Sequence, residues 1–152
     1  MRLTVIAIGR ARGGTATTLF QAYSRRLRWQ LQLIEVDVAG RMSAGERRTR
    51  EGTALLGKVP PNVLIVTLDQ GGTALTSEAL AARIKDWRDG GRRDIVFLIG
   101  GAEGHDARVV ERADLVLSLG PMTWPHLLVR GMLAEQLFRS ECLLTGHPYH
   151  RQ

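Results

Sequence analysis

The sequence predicts an α/β fold in which one parallel sheet is flanked by helices. Three observations predict it. Five short runs rich in β-branched and apolar residues alternate with five helical stretches, the pattern of strands joined by crossover helices. No linker or repeat interrupts the alternation, so the 152 residues read as a single domain, 1–152. The longest apolar runs, Val63-Leu64-Ile65-Val66 and Ile95-Val96-Phe97-Leu98-Ile99, fall far short of the roughly 20 residues of a membrane span and suit buried strands.

The elements follow in order. Residues 2–8 are β-branched and apolar, hence a strand and not a signal peptide. Residues 15–29 carry Leu19, Phe20, Tyr23 and Leu27 at helical spacing. Residues 31–38 alternate apolar and polar, a half-buried strand. Residues 43–56 form a charged helix with a thin apolar face and the cluster Arg47, Arg48 and Arg50, which reads as a solvated face. The turn Lys58-Val59-Pro60-Pro61-Asn62 leads into a buried strand over 63–68, which Asp69-Gln70-Gly71-Gly72 ends. Thr76 caps a helix running through Trp87. A strand over 94–99, a short helix over 107–112 and a strand over 115–119 follow. The last helix spans 127–144 and contains Cys142, read as core; it is apolar around too much of its circumference for one core face.

Lys and Arg total 21 against 15 Asp and Glu, a net charge of +6. Only Lys58 and Lys85 are lysines. An Arg-dominated surplus suits RNA phosphates and bases, although a GC-rich genome produces the same bias. One cysteine excludes an intrachain disulfide framework and points to the cytoplasm.

In parallel sheets, ligands bind at the carboxyl ends of strands. The last three strands end alike, in Leu68-Asp69-Gln70-Gly71-Gly72, Gly100-Gly101-Ala102-Glu103-Gly104 and Leu119-Gly120-Pro121-Met122-Thr123-Trp124-Pro125. Such loops admit a ligand close to the backbone. The glycine spacing is not the dinucleotide fingerprint, and no Walker lysine follows a loop. Met122 and Trp124 either line a pocket for an adenine ring or plug the core. A helix beginning near His126 aims its N-terminus at the same place.

The segments Ile99 to Gly104, Met122-Thr123-Trp124-Pro125-His126 with Arg130, and the terminal His147-Pro148-Tyr149-His150-Arg151 resemble the large-subunit ribosomal RNA methyltransferase H family, the pseudouridine N3-methyltransferases of the SPOUT class. The likeness runs end to end and includes the opening Leu3-Thr4-Val5-Ile6-Ala7-Ile8-Gly9. It departs at Ala102, where the family often has Pro or Ser, and at Arg10, where Lys is common. The resemblance implies a SPOUT-type sheet with a C-terminal trefoil knot, a cytoplasmic homodimer and S-adenosyl-L-methionine as cofactor. It implies methylation of N3 of a pseudouridine in 23S ribosomal RNA, the family target being pseudouridine-1915 on the assembled ribosome. It places cofactor contacts on Leu68, Gly100, Gly101, Leu119, Gly120, Pro121, Met122, Thr123 and Trp124.

Methyl transfer to an imide nitrogen also requires loss of a proton. His126, His147, His150 and Glu103 are candidates to accept it, and solvent is another. Arg130, His147, Tyr149 and His150 are expected to contact RNA; Tyr149 either stacks on a base or anchors the tail to its own domain. His147 and His150 sit three apart with no flanking carboxylate, so no metal is expected. No membrane partner is expected. The competing readings are a non-catalytic ribosomal-RNA-binding module and a flavodoxin-like binder, which would place its phosphate loop after the first strand.

Overall fold

The computed structural model describes residues 1–151, with side chains through Tyr149. Its five strands are β1 (Arg2–Ile8), β2 (Gln30–Val36), β3 (Leu64–Ala74), β4 (Asp94–Ile99) and β5 (Leu115–Ser118). Its helices are α1 (Thr15–Ser24), α2 (Ala44–Leu56), α3 (Ser77–Asp89), α4 (Ala107–Glu111) and α5 (His126–Thr145), followed by a 3-10 turn over Pro148–Arg151. All strand pairs are parallel, in the order β2-β1-β4-β3-β5.

Alternation along the strands splits the core into two layers. Leu3, Val5 and Ala7 face α1, α3 and α5, joined there by Phe20, Leu80, Ile84, Leu133 and Leu137. Ile6 and Ile8 face the opposite way, where Val96, Leu98, Leu55 of α2 and Val109 of α4 complete the packing. The last helix lies between α1 and α3. Much of its apolar circumference is therefore consumed inside the chain, and Cys142 is buried as expected.

Polar side chains set several boundaries. Ser43 and Glu46 form a reciprocal capping box at the start of α2, and the Thr76 hydroxyl caps α3. The first helix stops at Ser24, five residues short of the expected end. The N–H groups of Arg28 and Trp29 donate instead to the buried Glu141 carboxylate of α5, both at 2.9 Å. The third strand also departs from expectation. Asp69-Gln70-Gly71-Gly72 interrupts it without ending it: β3 pairs with β5 at Leu68, slips register, and pairs with it again at Thr73 and Ala74. Gly72 passes so close to β5 that a Cβ there would sit 2.6 Å from the Val116 carbonyl oxygen, so only glycine fits.

Candidate functional site

The three glycine-bearing strand ends meet because β4, β3 and β5 are neighbours in the sheet. Their carboxyl ends surround a cavity of about 590 Å³. Leu68, Asp69 and Gln70 line it from β3, Ile99 to Ala102 from β4, and Leu117, Leu119 and Met122 to Pro125 from β5 and its loop. His126 and Val129, in the first turn of α5, close one side. Met122 is 67% exposed and Trp124 37% exposed, so these residues border the cavity and do not plug the core. Gly120 and Pro121 lie in the same loop; Pro121 does not line the cavity, but its carbonyl accepts a hydrogen bond from the Gln70 amide. Ser118 accepts from the Gly120 N–H at 3.1 Å, and its hydroxyl lies 3.1 Å from the Gln70 carbonyl. These bonds fasten the β5 loop to the β3 bulge.

The two glycines after β4 leave no room for side chains. A Cβ on Gly100 would lie 3.1 Å from the His105 ring, and one on Gly101 would lie 2.6 Å from a Glu51 carboxylate oxygen. His105 lines the cavity and its Nε2 is 3.0 Å from the Leu68 carbonyl. A neutral ring meets that carbonyl with Nε2–H, leaving Nδ1 as an acceptor, buried and without a hydrogen-bond partner among the described residues. Burial holds the His105 pKa below the ordinary imidazole value, against the opposing pull of the Leu68 carbonyl and Asp69. His126 is held down as well, first by burial and then by the Arg130 charge. Both rings are thereby favoured in the neutral form at neutral pH.

The candidate proton acceptors separate. Among them His126 lines the cavity, whereas Glu103 is exposed outside it, where its backbone carbonyl accepts from Arg48 at 3.0 Å. His147 packs edge-on to Phe138 with centroids 6.5 Å apart, away from the cavity lining. The side chain of His150 lies outside the described residues.

Arg130 is not presented to solvent. It is 2% exposed, and its fork donates to Glu35 at 2.6 Å and to the carbonyls of Ile8 and Gly9 at 2.8 and 2.7 Å. Glu35 also accepts from the Ala11 N–H at 2.8 Å. Arg130 therefore ties α5 to the ends of β1 and β2. Tyr149 adopts the anchoring role: its hydroxyl bonds Tyr23 at 3.1 Å and Glu135 at 3.2 Å, and its ring stacks edge-on to Phe138. Nor is the arginine cluster of α2 simply a solvated face, because Arg47 donates to the carbonyls of Val38 and Gly40.

Sequence reasoning missed His105 and Glu51. His105 carried a signal, standing five positions after Gly100 in a loop already singled out. Glu51 carried a weaker one, sharing a helix face with Leu55 four residues on.

No metal-holding group of His, Cys, Asp or Glu occurs among the described residues. No helix among them is long and apolar enough to cross a membrane.

Residues 1–150 match the family model described as "Predicted SPOUT methyltransferase". Proteins named ribosomal RNA large subunit methyltransferase H share full-length similarity. The one from Rhodospirillum centenum is 52% identical over 151 residues, covering 99% of each chain. That from Paramagnetospirillum magneticum is 48% identical, with 99% of each chain covered. That from Mesorhizobium japonicum is 43% identical over an alignment of 159 residues, again covering 99% of each.

Proposed function

The chain belongs to the SPOUT methyltransferases, in the family of the ribosomal RNA large subunit methyltransferase H proteins, and from that premise we propose that it methylates N3 of a pseudouridine in 23S ribosomal RNA, with S-adenosyl-L-methionine as donor. The nucleotide proposed is pseudouridine-1915 on the assembled ribosome. The observation that carries the reading is the convergence of three glycine-bearing strand ends on one cavity with a neutral imidazole at its side.

The residues present fit the cofactor. The cavity is of nucleoside-holding size, and Gly100 and Gly101 form a cradle that a Cβ would obstruct. Leu68, Gly100, Gly101 and the loop from Leu119 to Trp124 would hold it through backbone groups and apolar surface. Bound there, it supplies an activated methyl group on a sulfonium with a neutral leaving group. The chain's own contribution is alignment, because a positioned pair of reactants removes most of the entropic barrier. His126 accepts the N3 proton as the new bond forms, directly or through one water. Its lowered pKa keeps the ring able to accept at neutral pH.

We further propose a single SPOUT domain over 1–152, working in the cytoplasm as a homodimer. Exposed Met122 and half-buried Leu127, Leu128 and Met132 supply an apolar strip along α5 and its preceding loop. A trefoil knot is proposed at the C-terminal end; the β3 bulge, which holds β5 on both sides of its register slip, supports it. The tail His147, Tyr149 and His150 is assigned to RNA, with Tyr149 holding it in place. Arg130 serves that assignment indirectly, by fixing the start of α5.

Two measurements test the reading. Purified protein should bind S-adenosyl-L-methionine in equilibrium dialysis, and should convert the pseudouridine of ribosomes lacking the modification to its N3-methyl form by mass spectrometry. Deleting residues 149–152 should abolish methylation and spare cofactor affinity. Absence of cofactor binding would leave the non-catalytic RNA-binding alternative; equal loss of both functions in the deletion would place the tail in the pocket. A monomer in sedimentation at micromolar concentration would contradict the dimer.

A further inference from the structure

Glu51 is a buried acid for which methyl transfer has no direct use. Its side chain is 5% exposed, and Oε2 has no hydrogen-bond partner among the described residues. Arg47 stands 3.8 Å away and also donates to the Val38 and Gly40 carbonyls. Burial raises the Glu51 pKa and Glu103 adds to the rise, while Arg47 and the Gly101 N–H oppose it. A buried oxygen left unpaired is costly. An apolar residue like Leu55, one turn on, would fill the same layer without that cost.

What the carboxylate touches is the Gly100–Gly101 turn. Its two oxygens lie 2.6 and 3.0 Å from where a Gly101 Cβ would stand. The same helix holds the same loop at two more points. Arg48 donates to the Glu103 carbonyl at 3.0 Å, and Gly52 abuts Asp106 so closely that a Cβ there would be 2.6 Å from it. Opposite Glu51, the His105 ring closes over Gly100.

We propose that Glu51 is a positioning residue for the cofactor turn: it accepts the Gly101 N–H and thereby fixes the direction of the peptide between Gly100 and Gly101. The peptide unit is planar and trans, so an N–H drawn toward α2 sends the Gly100 carbonyl the opposite way. Glu51 does not line the cavity, whereas both glycines do. The carbonyl is therefore presented on the cavity side, as a fixed acceptor for a donor on the ligand. The proposal rests on the cofactor reading above.

The test compares full-length Glu51→Gln and Glu51→Met with the parent chain, using S-adenosyl-L-methionine in equilibrium dialysis and in steady-state methylation of ribosomes. Gln keeps an acceptor for the Gly101 N–H; Met keeps the volume and removes the acceptor. The Gln variant should bind within about 3-fold of the parent and the Met variant at least about 10-fold more weakly. In turnover the Met variant should raise KM for the cofactor by about the same factor, with kcat within about 3-fold. Met binding within about 3-fold of the parent, Gln as weak as Met, or a fall in kcat at unchanged KM each overturns the proposal. Should the Met variant fail to fold, Glu51→Ala takes its place under the same criteria. A parent chain that binds no cofactor overturns the cofactor reading and this proposal together, an outcome distinct from loss in the variant alone.

Discussion

The carboxyl ends of β1 and β2 are closed by the chain itself, whereas those of β4, β3 and β5 open into a cavity. At the closed end, the Arg130 fork takes the Ile8 and Gly9 carbonyls and the Glu35 carboxylate. At the open end, glycines bring backbone to the surface of a space that side chains would otherwise fill. Both ends have the same topology, so position in a parallel sheet does not by itself make a site. The difference lies in whether the polar groups that end a strand are satisfied internally or left for a ligand.

The comparison is broken most directly at Arg130. Arg130→Met should cost about 3 kcal/mol in urea unfolding, the low end for a broken buried pair because Glu35 is 28% exposed. A variant of parental stability that lost only RNA affinity would restore Arg130 as an RNA contact and erase the contrast. At the open end, Gly100→Val should weaken S-adenosyl-L-methionine binding about 100-fold, equivalent to about 2.7 kcal/mol. Unchanged affinity in a folded variant would remove the cavity from consideration.

Histidine titration sharpens the contrast with a smaller effect. His105 and His126 both have depressed folded pKa values, burial being the larger cause in each. A base depressed in the folded state contributes stability above its unfolded value of 6.5, and loses it as pH falls through the folded one. Thermal melting should therefore fall between about pH 7.5 and about pH 5.5. The limiting slope is about 1.4 kcal/mol per pH unit for each ring. His105→Asn should flatten part of that fall; an unchanged profile would show that His105 does not titrate with folding. The smallest effect belongs to the tail. Tyr149→Phe, which removes the bonds to Tyr23 and Glu135, should lower stability by about 1 kcal/mol with cofactor affinity intact.

The open end was legible because its signals are local. Glycine pairs, stiffening prolines and strand-like runs are read within a few residues, and Gly100, Gly101, Leu68 and the loop from Leu119 onward could be assembled without knowing the strand order. The closed end was not legible. Arg130 has its partner Glu35 95 positions away, and Tyr149 meets Tyr23 126 positions away. Nothing in the local pattern separates a buried fork from a surface charge. The early stop of α1 has the same origin, because the acid that captures Arg28 and Trp29 lies in the last helix. The slip in β3 escaped as well: Asp69 to Gly72 is good turn chemistry, and only β5, added later in the chain, draws the segment back into the sheet.

The placement of α5 between α1 and α3 has a consequence during synthesis. Leu133, Ala134, Leu137, Phe138 and Cys142 are the residues by which this helix completes one of the two core layers. A nascent chain that has made β1 through β5 holds a sheet with one face covered by α2 and α4 and the other only flanked by α1 and α3. The middle of that second face, with Leu3, Val5 and Phe97, stays uncovered until α5 has emerged. Folding is thus gated by the last long segment to leave the ribosome, and truncation within α5 exposes the oldest part of the protein.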